Sequence, residues 1–340
     1  MNKVTIDKKL SLKVDAIGFE KGDTAIVRIQ LFNIVNKKEE KLITKDFDVT
    51  IENSQFAYYF TIIDFCKEHE VDIKKVKYIK GWIDTDGEVD RDYDDKVEYE
   101  VTSCYCNRDF TVNEVKNIVK ELRKTENIKS SKLWEPVRKS GISPSNKSYE
   151  TTTDELNQIF NKYNINTCLR KIHFLAQTYH ETDRFRAMTE YDSIYTKKYD
   201  PYRGRGLVHL THNGTYKKFS TYMSDNTIFT NPSIIATNIK YAFEAGGWFW
   251  EKESDWGNLN NFSDNDDIYK INIGINGGFN GFKERIVYIK KLIKFTNITN
   301  CKNIKLKKGK TLGVYKFSTS SIKDSNYGKR NRSKFEKYDD

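Results

Sequence analysis

Hydrophobic and polar residues alternate along roughly the first hundred positions of the chain. The segments "LSLKVDAI", "TAIVRIQLFNIV" and "KVKYIKGWI" are rich in Val, Ile, Phe and Tyr, and turn-forming residues such as Lys21-Gly22-Asp23 separate them. This period of two is typical of β-strands. Only "AYYFTIIDFCKEHEV" has the pattern of a helix. We therefore expect residues 1 to 105 to form an antiparallel β-sandwich.

The hydrophobic period changes to that of a helix at about residue 109. Thr111 is followed three residues later by Glu114, which is the pattern of a capping box, and apolar residues then recur at helical spacing. Four more helices are predicted, within "TTTDELNQIFNKYNI", "CLRKIHFLAQTYHET", "NIKYAFEAGGWFWEK" and "GFKERIVYIKKLIKF". We place a domain boundary near residue 108 and expect residues 109 to 300 to form one mainly α domain.

The last part of the chain, residues 302 to 340, carries twelve Lys or Arg against four Asp or Glu and few apolar residues. No hydrophobic period is evident, and the composition indicates a mobile basic tail. The first half of the chain also contains an acidic run, Asp84 to Asp95, that faintly resembles a calcium loop. It lacks the closing glutamate, so we interpret it as an exposed hairpin.

Composition limits the classes of protein to consider. The chain of 340 residues has 37% hydrophobic residues, with 20 Phe and 21 Tyr to supply buried area, and a formal net charge of +10. That charge indicates an anionic partner, but no nucleic-acid-binding motif accompanies it. No apolar stretch is long enough to span a membrane, and no signal peptide is evident, so we expect synthesis in the cytoplasm.

The five cysteines predict neither a disulfide framework nor a metal site. Cys104 and Cys106 are closer together than the two cysteines of a zinc knuckle, and no second pair follows. We therefore expect no metal and no cofactor.

Two glutamates stand out in "QTYHETDRFRAMTEYD", residues 177 to 192. Glu181 is placed at the end of a predicted helix, and Glu190 follows nine residues later, which would be on the opposite side of a continuous helix. Either both are unrelated surface charges, or the chain leaves the helix and returns Glu190 across a cleft. A zinc protease motif is excluded because position 184 is Arg and not His.

Two later segments change the balance between these alternatives. "YDPYRGRGLVHLTHNGTY" has glycines on both sides of Arg205, and "INIGINGGFNGFKER" offers Asn276 beside two glycines. With the His-Glu-Thr motif and Glu190, their order resembles that in the family 19 glycoside hydrolases, the plant-type chitinases and their lysozyme-like bacterial and phage relatives. The resemblance covers about residues 109 to 300.

The resemblance implies a lysozyme-like fold and an inverting hydrolysis. Glu181 would be the general acid and Glu190 the general base, with carboxyl groups about 6.5 to 9.5 Å apart. Thr211 matches the hydroxyl that helps to hold the water. Substrate-binding positions by the same resemblance are His180, Tyr202, Arg205, His209, Asn276 and Arg285. His209 replaces the family's usual Gln, and its charge would vary with pH.

The departures from the chitinase pattern and the positive charge favour peptidoglycan over neutral chitin as the substrate. The predicted function is hydrolysis of β-1,4 bonds between amino sugars in the bacterial wall. The alternatives are a phage-type endolysin, a chitinase or a non-catalytic wall-binding protein. The first hundred residues and the junction "CYCNRDFTVNEVKNIV" look similar to secreted antibacterial effectors. That likeness implies docking to a secretion machine through residues 1 to 105, an immunity protein, and action on the wall of a target cell.

The catalytic assignment also predicts how the two glutamates titrate. We expect the helix end and nearby apolar side chains to raise the pKa of Glu181, which must start protonated. Asp192 is the rival for the role of base, because it would share a face with Glu190 on an extended segment.

Overall fold

The computed structural model describes residues 2–5, 9–52, 54–85, 97–102, 104–301 and 303–340. The chain divides into two compact units, Met1–Cys104 and Tyr105–Asp340. Most of the predicted acidic hairpin at Asp84–Asp95 lies outside the described residues. Among those that are described, no helix combines the length and the apolar character that a membrane span requires.

The first unit is a β-sheet with one short helix. Its strands are β1 (Asn2–Thr5), β2 (Lys9–Asp15), β3 (Thr24–Val35), β4 (Lys38–Glu52), β5 (Gln55–Thr61), β6 (Tyr78–Asp84) and β7 (Val97–Thr102), and helix α1 is Ile62–Glu68. The strand order is β1-β7-β6-β3-β4-β5-β2, antiparallel except for the parallel pair β1 and β7.

The seven strands form one connected sheet, and the predicted β-sandwich is not confirmed. The sheet bends so that β2 lies over β6: a Cβ atom on Gly81 would come within 2.8 Å of the Leu12 side chain. Strand β3 supplies much of the core with Val27, Ile29 and Leu31. The alternation along the strands sets which side chains point inward, but it does not determine which strands pair.

The second unit is mainly helical. Its longer helices are α2 (Val112–Lys124), α3 (Tyr149–Lys162), α4 (Cys168–Glu181), α5 (Asn213–Met223), α8 (Ile239–Trp248), α10 (Ile268–Asn276) and α11 (Phe282–Thr296). Shorter helices are α6 (Thr227–Thr230), α7 (Ile234–Thr237), α9 (Leu259–Ser263), α12 (Asn326–Arg330) and α13 (Arg332–Phe335), and a π-helix, Phe249–Glu253, extends α8.

Helix α2 begins as predicted. The Thr111 hydroxyl accepts a hydrogen bond from the backbone N–H of Glu114, and the Glu114 carboxylate accepts one from the N–H of Thr111, so the capping box is complete. Helix α4 is the central element, because its residues are buried on nearly every side. The apolar stripe that the sequence predicts is buried, and so are the polar side chains of His173, Gln177 and Thr178.

The last forty residues of the chain are not a mobile tail, and the prediction for them is wrong. Residues 303–340 belong to the second unit, and Tyr315, Phe317, Ile322 and Phe335 are buried in it. The Asp339 carboxylate accepts hydrogen bonds from the Tyr269 hydroxyl (2.8 Å) and the Phe317 N–H (2.6 Å). The many lysines face solvent, and a few well-spaced apolar residues are enough to anchor the segment.

Candidate active site

The chain reverses immediately after Glu181, which is the last residue of α4. Asp183, Arg184 and Phe185 all have positive φ angles, of 49°, 70° and 56°. Residues other than glycine rarely adopt this left-handed conformation, and three in succession turn the backbone sharply. The Thr182 hydroxyl supports the turn by accepting a hydrogen bond from the Phe185 N–H at 3.2 Å. The helix therefore ends between the two glutamates.

Partly buried polar contacts hold this reversal in place. The Arg184 guanidinium pairs with the Glu126 carboxylate, with 2.7 Å between Nε and Oε2. The same carboxylate accepts a hydrogen bond of 2.6 Å from the Tyr288 hydroxyl on α11. Arg123, on α2, donates to the Arg184 carbonyl at 2.9 Å. Helix α2, the residue Glu126 that follows it, and helix α11 thus fix the segment that leads to Glu190, which offsets the cost of its backbone conformation.

Glu190 is held by a backbone segment that includes Gly204. The Glu190 N–H donates to the Gly204 carbonyl at 3.0 Å, and the Gly204 N–H donates to Glu190 Oε2 at 3.1 Å. A Cβ atom on Gly204 would lie 2.6 Å from that same oxygen and 2.8 Å from Cβ of His209. Only glycine therefore allows the carboxylate to approach the backbone this closely.

His209 lies beside both glutamates. Its Nδ1 is 3.7 Å from Glu181 Oε2, and the charge of Glu190 also acts on its ring. Nε2 of His209 is buried and has no hydrogen-bond partner within the protein. The nine residues from Glu181 to Glu190 thus leave the helix and bring the second carboxylate back towards the first, which is the second of the two alternatives.

Arg285 on α11 contacts Glu181 from within the core. Its side chain is 1% exposed and that of Glu181 is 12% exposed, and Nη2 of Arg285 donates to Glu181 Oε1. Nη1 donates to Gln177 Oε1 at 2.6 Å, and the Gln177 amide in turn donates to Asn272 Oδ1 at 2.6 Å. Glu181 therefore lies at the end of a buried chain of hydrogen bonds through Arg285 and Gln177.

This contact reverses the expected titration of Glu181. Burial raises the pKa of the carboxyl, but the charge of Arg285 and its hydrogen bond to Glu181 outweigh burial and lower it. The prediction of a raised pKa for Glu181 is therefore wrong. The sequence places a helix end and apolar residues near Glu181, but it does not reveal that a guanidinium from α11 is inserted behind the carboxylate.

Both histidines of the site are neutral at pH 7. Burial lowers the pKa of His180 to about 4, and burial also lowers the pKa of His209. His209 thus does not carry a charge that varies near neutral pH. His180 packs closely on the start of α11, since a Cβ atom on Gly281 would lie 2.1 Å from its Nε2.

The other predicted site residues divide into two groups. Half-buried Thr211, Tyr202 and Asn276 keep part of their surface open, and the Thr211 hydroxyl donates to the His209 carbonyl at 2.7 Å. Arg205 and Arg285 are buried, and their contacts are with the protein itself. The Arg205 guanidinium donates to the Pro201 carbonyl at 2.7 Å and so supports the loop from within, while Arg285 acts on Glu181.

Asp192, the rival for the role of base, is engaged elsewhere. It forms ion pairs with Arg203 and Lys197, and the Arg203 hydrogen bond is the main cause that lowers its pKa. Its backbone N–H donates to the Ser140 hydroxyl at 3.0 Å. These contacts hold Asp192 at an exposed position outside the group of Glu181, His209 and Glu190.

Sequence reasoning overlooked two residues that build the site, Gln177 and Asn272. Gln177 precedes Glu181 by four residues, one helical turn, so it shares a face with the acid, and that spacing is a signal that could have been used. Asn272 lies 95 residues from Gln177, and nothing in a single sequence relates the two.

Comparisons with known proteins address the identity of this site. No family model matches the chain. Among the curated proteins that match are an acidic 26 kDa endochitinase of Solanum lycopersicum, 32% identical over 87 residues, and a glycosyl hydrolase family 19 domain-containing protein of Haemophilus influenzae, 29% identical over 96 residues. The matches cover 24% and 28% of this chain, and 34% and 43% of those proteins, so the chain spans less than half the length of these relatives.

Solved structures with some similarity are also chitinases. Chitinase C from Streptomyces griseus HUT6037 has 19% sequence identity and a TM-score of 0.43, over 56% of this chain and 95% of its own. A class IV chitinase from Zea mays has 18% identity and a TM-score of 0.36, over 44% and 84%.

A mainly helical unit with two glutamates brought together beside a helix end is an arrangement suited to a glycoside hydrolase. The chain is similar in sequence to a glycosyl hydrolase family 19 domain-containing protein and to an endochitinase, so the predicted resemblance to family 19 is confirmed.

Proposed function

We propose that the chain hydrolyses β-1,4 glycosidic bonds between amino sugars of bacterial peptidoglycan, by inversion, with Glu181 as general acid and Glu190 as general base. One observation carries the proposal: the chain reversal after α4 brings both carboxylates to the same histidine, His209. Inverting hydrolysis needs two carboxyl groups on opposite sides of the scissile bond. The proposed pair comes from two segments with different surroundings, which suits two different roles.

Glu181 has to gain a proton before it can protonate the leaving oxygen. The charge of Arg285 opposes the protonation of Glu181, while burial favours it. A bound glycan would displace water from the cleft and increase the effect of burial, so binding itself would move the pKa in the required direction. His209, neutral at pH 7, adds no charge that would oppose the change.

Glu190 is suited to activate water. One oxygen of its carboxylate accepts the Gly204 N–H, which fixes its orientation and leaves the other oxygen able to accept a proton from water. The unpartnered Nε2 of His209 and the hydroxyl oxygen of Thr211 are the neighbouring polar atoms that could hold that water.

The charge of the chain supports peptidoglycan as the substrate. Bacterial walls carry anionic polymers, whereas chitin is neutral and gives no reason for a net charge of +10. A groove beside α2 concentrates basic side chains together with Glu135 and Glu150. Its lysines are Lys116, Lys120, Lys124, Lys129, Lys132 and Lys147. The similar proteins include an endochitinase, which makes chitin the second candidate substrate.

The substrate is tested by measuring the release of reducing ends from purified sacculi and from colloidal chitin. We expect faster release from sacculi, with the α-anomer formed first in a proton NMR time course because inversion of a β-linkage gives the α product. Faster cleavage of chitin would make the protein a chitinase. Binding to sacculi without any release of reducing ends would make it a wall-binding protein.

Variants separate catalysis from binding. Glu181→Gln and Glu190→Gln should each lower turnover by about 10² to 10⁴ while sedimentation with sacculi is retained. Asp192→Asn is the matched control and should keep nearly the parental rate. If Asp192→Asn is inactive and Glu190→Gln is active, the base is wrongly assigned.

We propose further that the first unit docks a secretion machine and that the protein acts as an antibacterial effector on the wall of a target cell. Residues 1 to 105 contain none of the matched motifs, which supports a role outside catalysis. A chain that begins at Cys104 should hydrolyse isolated sacculi and fail to intoxicate neighbouring cells in a competition assay. Undiminished killing by the shortened chain would contradict docking through the first unit, and killing only after external addition with a permeabiliser would favour an endolysin.

A further inference from the structure

Three cysteines that are far apart in the sequence meet in the second unit. The Sγ atoms of Cys106 and Cys168 are 3.5 Å apart, those of Cys168 and Cys301 are 3.5 Å apart, and those of Cys106 and Cys301 are 3.7 Å apart. A disulfide would need about 2.05 Å. In a tetrahedron with zinc–sulfur bonds of about 2.3 Å, the sulfur atoms are about 3.8 Å apart, so the triangle has close to the size of one face of a tetrahedral site.

Two backbone groups point at these sulfur atoms. The Tyr105 N–H donates to Cys168 Sγ at 3.1 Å, and the Cys168 N–H donates to Cys106 Sγ at 3.2 Å. Thiols are weak acceptors, whereas a hydrogen bond to an ionised acceptor is shorter and stronger. Cys168 is also the first residue of α4, where the helix dipole favours a thiolate. Two of the three sulfur atoms are therefore held in position by backbone N–H groups.

A compensating positive charge lies next to the cluster. The ammonium group of Lys171, one helical turn after Cys168, is buried and donates to the Arg108 carbonyl. Burial and the charge of Arg108 lower the pKa of Lys171 to about 8, while Asp109, Cys168 and Cys106 act in the opposite direction. Four thiolates around a divalent ion carry a net negative charge, and a buried ammonium stabilises that state.

We propose that Cys106, Cys168 and Cys301 bind a structural zinc ion, with Cys104 as the fourth ligand. Cys104 precedes Cys106 by two residues, so the chain itself keeps the two thiols within reach of one ion. The spacing of Cys104 and Cys106 does not fit a zinc knuckle, which takes its ligands in two pairs along the sequence. Here the remaining ligands come singly, from the start of α4 and from the segment after α11.

The ion would join the beginning of the second unit to the segment that follows α11. Cys106 and Cys301 are separated by 195 residues, so one metal centre would close most of the second unit into a loop. Closing a long loop restricts the unfolded chain, and zinc ligated by four cysteines is of the closed type that stabilises folds and takes no part in catalysis.

The test starts from the full-length chain purified under reducing conditions. Elemental analysis should give about one zinc per chain, and X-ray absorption should show only sulfur neighbours, at about 2.3 Å. Replacing zinc with Co²⁺ should produce thiolate-to-cobalt charge-transfer absorption in the near ultraviolet and the visible bands of tetrahedral cobalt. A reduced chain that takes up neither ion, or that forms a disulfide between two of these cysteines, would overturn the proposal.

Single variants identify the ligands. Cys106→Ser, Cys168→Ser and Cys301→Ser should each lower the zinc content at least tenfold, and Cys66→Ala, which changes a cysteine of the first unit, should leave it unchanged. Cys104→Ser should reduce the sulfur count to three, and an unchanged count would remove Cys104 from the site. If a variant does not fold, cobalt absorption of the parental chain and the fall in its melting temperature on chelation still decide between zinc and no metal.

Discussion

Replacing Arg285 tests the most important electrostatic contact of the site. In Arg285→Gln the Glu181 carboxylate keeps a neutral hydrogen-bond donor but loses the positive charge that lowers its pKa. Burial, which acts in the opposite direction, then dominates, and the pKa of Glu181 should rise. Arg285→Lys is the matched control, because it retains the charge and gives up the two-armed contact with Glu181 and Gln177.

The cost in stability follows from the burial of the pair. Arg285 is 1% exposed and Glu181 is 12% exposed, so removing the cation leaves a largely buried carboxylate and an unsatisfied Gln177 oxygen. Breaking such a pair costs about 3 to 5 kcal/mol, and the residual exposure of Glu181 favours the lower figure, about 3 kcal/mol. For a unit of this size that corresponds to a fall of roughly 6 to 12 °C in melting temperature.

The sign of the pH dependence follows from the lowered pKa. Because the folded state holds the pKa of Glu181 below its unfolded value of about 4.3, the ion pair stabilises the protein above about pH 4.3. This contribution is lost as the pH falls through the folded-state pKa. In Arg285→Gln the folded-state pKa moves upward, so the stability gained from Glu181 on raising the pH through this range should vanish or reverse.

Two measurements check the reasoning, and one of them does not require activity. Carbon-13 NMR of the glutamate carboxyl groups, assigned with Glu181→Gln, follows the titration of Glu181 directly in the parent and both Arg285 variants. The alkaline limb of kcat/KM on sacculi should move to higher pH in Arg285→Gln and stay in place in Arg285→Lys. Identical titration of Glu181 in all three proteins would refute the role given to the guanidinium.

Three further outcomes are expected. Gly204→Ala should lower turnover about 10²-fold with little change in circular dichroism, because the new methyl group would meet the Glu190 carboxylate, 2.6 Å away, and displace the base; a parental rate would show that the hydrogen bond does not position it. Gly281→Ala should reduce both stability and activity, since its φ is 65° and the added methyl group would collide with His180; thermal melting together with the hydrolysis assay checks this. Phe335→Ala should cost about 3 to 5 kcal/mol in denaturant unfolding, because the ring is fully buried; a change within error would restore the view of residues 302–340 as a tail.

The helices of the second unit were predictable because their signals are local. The capping box at Thr111 and Glu114 lies within four residues, and the apolar stripe of α4 repeats at the helical period. The alternation in the first unit likewise predicted strands. The connection of those strands into a single bent sheet depends on pairings such as β2 with β5, across about forty residues, which alternation alone does not specify.

The burial of residues 303–340 was not predicted because the apolar residues that anchor this segment do not recur at a regular spacing. Phe317, Ile322 and Phe335 are irregularly spaced among lysines. Only the structure shows that Phe335 stacks on Phe317 and packs edge-on against Tyr269 and Phe282. The same reason explains the site: the glutamates are recognisable in the sequence, but the environment that sets the pKa of Glu181 comes from α11, about a hundred residues away.

The left-handed turn at Asp183–Phe185 has a practical consequence for anyone who wishes to alter what this scaffold accepts. Its three backbone angles and its hydrogen bonds to Arg123 and Glu126 fix the distance between the end of α4 and Glu190. An insertion or deletion in the turn would therefore move the Glu190 carboxylate away from its position. The segment at 193–200 differs, since Ile194 is 81% exposed and Tyr195 is 70% exposed. Libraries that vary the length and sequence of residues 193 to 198 should therefore change the surface next to the site and leave the distance between the Glu181 and Glu190 carboxylates unchanged.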